Sequence, residues 1–116
     1  MILRECINLE TVLELGEGQF IEFKQAIDKN FPKEIVAFAN ASGGTIYLGI
    51  SDLGKLTDFK ITNKLKFQIQ DIAYNCNPNI IISMVEIENI IAIEVNMYKF
   101  HIYILIEYKL NPWSIA

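Results

Sequence analysis

Four residues combine the side-chain types and spacing that could do chemistry: Glu17, Glu22, Lys24 and Asp52. Glu22-Phe23-Lys24 has the carboxylate-x-lysine form of metal nucleases, in which a divalent cation activates water and a lysine neutralises charge developing on phosphate. Glu17, from a loop, and Asp52, from a turn, would add two more carboxylates. Three converging carboxylates could hold a hard cation such as Mg²⁺ or Mn²⁺, which takes oxygen ligands. The commoner fate of so short a motif is a set of exposed, salt-bridging charges. A second constellation is the lysine series at 24, 29, 33, 55, 60, 64 and 66, set against Asp28, Glu34, Asp52 and Asp58. The net charge of −4 argues against a polyanionic partner. The charge is unevenly spread, however: residues 1–22 hold Arg4 against Glu5, Glu10, Glu14, Glu17 and Glu22, and the middle of the chain is basic. Lys24, Lys29, Lys33, Lys60, Lys64 and Lys66 are therefore the candidates for phosphate contact, weighed against an ordinary solvated surface.

These side chains need elements to hold them. Gln19 to Lys24 alternates, which predicts a strand with Glu22 and Lys24 on one face and Ile21 and Phe23 on the other. Ile35, Val36, Phe38 and Ala39 gather on one side of a helix that starts at Phe31 with Pro32 in its first turn, capped by Asp28 or Asn30. That helix ends at Asn40-Ala41-Ser42, and Gly43-Gly44 then reverses the backbone into the strand Thr45 to Ile50. The Gly43-Gly44 amides could face a phosphate, and Asn40 could reach a ligand. A structural turn and local capping are the commoner uses of these residue types. Leu9 to Leu15 predicts a short amphipathic helix that lies on the sheet as a lid. Lys55 to Phe59 reads as the return arm of a hairpin turned at Asp52 to Gly54. Residues 62–75 predict the second main helix, ended before Pro78. Asn79 to Glu88 and Asn89 to Lys99 predict an antiparallel hairpin, and Phe100 to Lys109 is a third β-prone run.

Composition bounds the reading. A chain of 116 residues with 52% hydrophobic and 21% charged residues is one globular domain with a single core. Cys6, Cys76 and a lone His101 supply neither a disulfide framework nor a zinc site. The charged N-terminus lacks the apolar core of a signal peptide, and no apolar tract reaches the ~20 residues of a membrane span. The expectation is a cytoplasmic protein with no membrane partner.

The segments GEGQFIEFK at Gly16 to Lys24 and AFANASGGTIYLGISDLGK at Ala37 to Lys55 resemble the Schlafen-type Alba-like domain, the DNA-binding module of many bacterial and archaeal transcriptional regulators. The resemblance implies an α+β fold, a mixed β-sheet with two main helices packed on one face. It makes residues 1–116 a single domain with a core at 14–98 and a divergent or shortened tail at 99–116. It also implies a nucleic-acid partner, DNA favoured over RNA. Some eukaryotic Schlafen proteins cut structured RNA with acidic residues that fall on Glu17, Glu22 and Asp52. The chain departs from the family pattern at Asp58, where a glycine is expected, and after residue 98, where a proline turn, a Tyr and an Arg-Gly segment are missing. Three readings stand: a DNA-binding domain, which needs no cofactor; a nuclease using Mg²⁺ or Mn²⁺; and an assembly module that dimerises through Ile102 to Ile106. Tyr103, Tyr108 and Trp113 could stack on bases, although aromatics in a terminal strand are more often core or dimer contacts.

Overall fold

Ile90-Ile91-Ala92-Ile93-Glu94-Val95 is apolar at every position but one, and all of its apolar residues are buried. A strand alternates its side chains, so such a run must be covered on both faces. The computed structural model describes residues 9–97 and the backbone of 107–108, and it shows this covering. The elements run α1 (Leu9–Leu15), β1 (Ile21–Lys24), α2 (Phe31–Asn40), β2 (Gly44–Leu48), α3 (Asn63–Tyr74), β3 (Cys76–Asn77), β4 (Ile82–Ile87), β5 (Ile90–Val95) and β6 (Glu107–Tyr108). The main sheet has the order β1-β2-β5-β4; β1 lies parallel to β2 and the other pairs are antiparallel. This is an α+β fold on a mixed sheet.

The register decides which side chain meets which layer. Ile46 and Leu48 of β2 pair with Ile93 and Ile91 of β5 and share one face with α2 and α3, where Phe31, Ile35, Ala39, Ile69, Ile72 and Ala73 complete the main core. The alternate residues Phe23, Tyr47, Ile50, Ile90 and Ala92 turn to the other face, where α1 covers them with Leu9 and Val12. Phe23 and Tyr47 meet edge-on with ring centroids 6.3 Å apart. Each large apolar side chain fully removed from water contributes about 1.5–3 kcal/mol.

Two expectations change. The strand after the glycine pair ends at Leu48, because Gly49 adopts φ +112 and turns the chain away from the ladder. Lys55 to Phe59 then forms no return strand: one bridge joins Ile50 to Leu56, and Thr57 donates both its amide and its hydroxyl to the Gly49 carbonyl, each at 2.9 Å. Leu56 is exposed and Phe59 packs partly buried against the main core, so the arm lies as a loop and adds no strand to the sheet. Ile102 to Ile106, His101, Cys6 and Trp113 lie outside the described residues, and with them the expected dimer contact.

β1 and β2 are parallel and joined by α2, so α2 runs back from the C-terminal to the N-terminal end of this strand pair. After β2 the loop 49–62 starts at the same C-terminal end, and α3 also runs back, since Ile82 just beyond it pairs with Val95, itself opposite Gly44. Both main helices therefore present their N-termini at one end of the sheet, together with the 51–54 turn.

Candidate nucleic-acid interface

β1 alternates as its sequence predicts. Its register sets Glu22 opposite Ile46 and Lys24 opposite Leu48, so both polar side chains point into the helical layer beside α2. The Lys24 side chain is only 10% exposed, with its ammonium 3.1 Å from Asp28 Oδ2, 3.0 Å from Glu34 Oε1 and 3.2 Å from Glu34 Oε2. Of the two Glu34 contacts the one to Oε2 has hydrogen-bond geometry, and Oε1 is buried without a donor among the described residues. Burial alone would lower the Lys24 pKa, but hydrogen bonds to Glu34 and Asp28 outweigh it and hold the lysine above its ordinary value. Asp28 also shapes the entry to α2: its Oδ1 accepts from the Asn30 amide at 3.0 Å, while the Asn30 side chain makes no cap bond.

Glu22 shares this compartment. Burial, a hydrogen bond with Glu34 and the Glu34 charge raise its pKa to about 7, with a smaller contribution from Glu17 and a counter-effect from Lys24. Glu22 is thus held closer to its protonated form at neutral pH than an ordinary glutamate, by burial and by the carboxylate beside it. Glu17 is engaged with the backbone: its Oε2 accepts from the Phe23 amide at 3.0 Å, occupying a donor on the edge strand β1. Asp52 is exposed in the turn and is not among the groups acting on Glu22. Among the described residues no three His, Cys, Asp or Glu side chains are grouped to hold a metal ion. Lys24, Glu22 and Glu17 are thus drawn together with Asp28 and Glu34, and Asp52 is not. The spacing of Glu22 and Lys24 indicated their shared face, but Glu34 as their common partner required knowing that α2 folds back over β1.

The remaining lysines among the described residues separate into two kinds. Lys66 is paired with Glu86 at 2.7 Å. Lys29, Lys33, Lys55, Lys60 and Lys64 are exposed and have no ion pair among the described residues. They sit before or within the first turn of α2, in the 49–62 loop, or at the start of α3, and so collect at the end of the sheet where both helices begin. Helix N-termini add partial positive charge there, which favours anions.

The glycine pair is accounted for by packing. The Gly43 amide donates to the Phe38 carbonyl at 2.8 Å, and a Cβ at Gly43 would meet the Val95 carbonyl at 2.8 Å and the Met97 amide at 3.2 Å. The Phe38 ring occupies the space a Cβ would take at Gly44. Asn40 is half-buried and engaged at the end of α2. Sequence reasoning passed over two exposed aromatic residues on α3, Phe67 and Tyr74. Their seven-residue spacing, opposite Leu65, Ile69 and Ile72, was the signal that could have found them.

Residues 17–109 match the family model described as Schlafen, AlbA_2, a domain type that fits a nucleic-acid-related function. No curated protein matches the chain. No helix among the described residues is long and apolar enough to cross a membrane.

Proposed function

Because the chain belongs to the Schlafen AlbA_2 family, we propose that it is a nucleic-acid-binding domain of the transcriptional-regulator type, with DNA as its partner. The observation that carries this reading is the group of exposed lysines, Lys29, Lys33, Lys55, Lys60 and Lys64, unpaired among the described residues, at the end of the sheet where α2 and α3 begin. Phosphate binding draws on such residues, and it displaces counterions from the nucleic acid. The same geometry gives no comparable support to metal-dependent cleavage: Lys24 is held by Asp28 and Glu34, Glu17 is bonded to a backbone amide, and Asp52 stands apart.

Fluorescence anisotropy with labelled DNA at low and moderate salt tests the reading. Replacing Lys29, Lys33, Lys60 and Lys64 by Gln should weaken binding at low salt and flatten the plot of log K against log salt, by about one per lost phosphate contact. Absence of binding at low salt would refute the proposal, and so would binding that the fourfold variant leaves unchanged.

A further inference from the structure

α3 has two sides of opposite character. Ile69, Ile72 and Ala73 are buried against the sheet and Leu65 packs beside them, while Phe67 is 76% exposed and Tyr74 69% exposed. At 100° per residue, Asn63, Phe67, Gln70 and Tyr74 fall along one ridge pointing directly away from the core. Exposed single apolar residues are ordinary on a protein surface. Two aromatic rings on one ridge, separated by an amide side chain and contributing nothing to the core, are a patterned surface. The two rings stand about 10 Å apart along the helix axis.

The charge around the ridge selects its occupant. Lys60 precedes the helix and Lys64 lies one turn before Phe67, both exposed and unpaired among the described residues. The ridge therefore leads away from the lysine-rich end of the sheet. Asp71 is the one acidic residue of the helix and sits on the Lys64 flank. The Lys66 ammonium on the other flank is drawn to Glu86.

We infer that the outer ridge of α3, Phe67 with Gln70 and Tyr74, is a stacking platform for unpaired bases, so that the domain takes single-stranded nucleic acid in preference to a closed duplex. This rests on the nucleic-acid reading above and deepens it. Every base offers a π face, so stacking on Phe67 and Tyr74 tolerates any sequence, while Lys60 and Lys64 follow the backbone. In a duplex the base faces are already stacked on one another and are closed to a protein ring. Gln70, between the rings, is placed to donate to or accept from a base edge.

Anisotropy with a short labelled DNA strand of mixed sequence, its RNA counterpart and the annealed DNA duplex tests this. The expected result is tighter binding of the single strands than of the duplex. Phe67→Ala or Tyr74→Ala should each weaken single-strand binding by about tenfold, within the range measured for loss of one base–aromatic stack. Duplex binding should be left nearly unchanged, and so should the melting temperature, since neither ring is buried. Lys60→Gln with Lys64→Gln should weaken all three probes together. Equal affinity for strand and duplex, or single-strand binding indifferent to both ring deletions, would overturn the stacking platform and leave the lysine reading intact. Failure to bind any probe would overturn both. Sedimentation of the Phe67→Ala, Tyr74→Ala double variant supplies the alternative occupant: if the parent protein is a dimer and the variant a monomer, the ridge is a self-association face and the inference falls.

Discussion

α2 and α3 lie in the same layer, run the same way over the same sheet, and are held differently. α2 buries Phe31, Pro32, Ile35 and Ala39 and directs Glu34 to Lys24 of the neighbouring strand, so both its apolar side and part of its polar side are committed to the fold. α3 buries Ile69, Ile72 and Ala73, secures its start with Thr62 Oγ1 accepting from the Leu65 amide at 3.1 Å, and leaves a full ridge of side chains facing solvent. The sequences differ accordingly. FPKEIVAFAN is mostly apolar, whereas NKLKFQIQDIAY alternates core residues with polar and aromatic ones that the core does not use. One helix fixes the architecture, and the other can change its outer surface without disturbing it.

The contrast predicts a large asymmetry in stability. Ile35→Ala should destabilise the domain by about 2–5 kcal/mol, because Ile35 is fully buried and its truncation opens a cavity in the main core. Phe67→Ala on the sister helix should stay within about 0.5 kcal/mol of the parent. Urea denaturation measures both, and similar losses at the two sites would remove the distinction between the helices.

Lys24→Met breaks the link between α2 and β1 at its ionic point. It leaves Glu34 and Glu22 facing each other without their cation, and a loss of about 2 kcal/mol is expected at pH 8. The loss should be smaller at pH 5, where Glu22 carries a proton and the repulsion disappears. Melting at the two pH values checks this, and an equal loss at both would mean that Lys24 acts by packing alone.

A smaller effect than the loss of Lys24 belongs to Glu22 itself. The native state keeps its proton up to about pH 7, whereas the unfolded chain releases it near the ordinary glutamate value of 4.5. Between these values the native state binds more protons, so stability falls as pH rises through the window and levels off above about pH 7. Solvent screening limits the change to on the order of 1 kcal/mol. Glu22→Gln should flatten the profile and raise stability at pH 8, measured by thermal melts from pH 5 to pH 8. A parent profile already flat across that range would place Glu22 in ordinary solvent.

The elements were legible wherever periodicity and punctuation agreed. Leu9 to Leu15, the helix from Phe31 and the strand faces of Ile21 to Lys24 follow from spacing, and Gly43-Gly44 marks the reversal between α2 and β2. The 55–59 arm misleads because a turn sequence followed by Leu56 and Phe59 imitates a hairpin, while the twist that Gly49 introduces is set by tertiary packing. The site was legible only in part. Glu22 and Lys24 share a face by local geometry, and Asp28 is near Lys24 in sequence, but their common partner Glu34 arrives through a crossover that no local pattern announces. The lysines look alike along the chain, and among the described residues pairing in three dimensions separates Lys24 and Lys66 from Lys29, Lys33, Lys55, Lys60 and Lys64, which remain exposed.

The packing of Phe38 against Gly44 also constrains how such a domain can diverge. The ring fills the place where any other residue at position 44 would carry its Cβ, so the two sites can drift only in concert: a methyl group gained at 44 requires a smaller or turned side chain at 38. Gly43, hemmed in by the backbone of Val95 and Met97 at φ +81, has no side chain that could yield in this way. Of the two adjacent glycines, one is therefore replaceable through a compensating partner and the other is fixed. A Gly44→Ala chain should recover much of its lost stability when Phe38→Leu is added, and a Gly43→Ala chain should recover none.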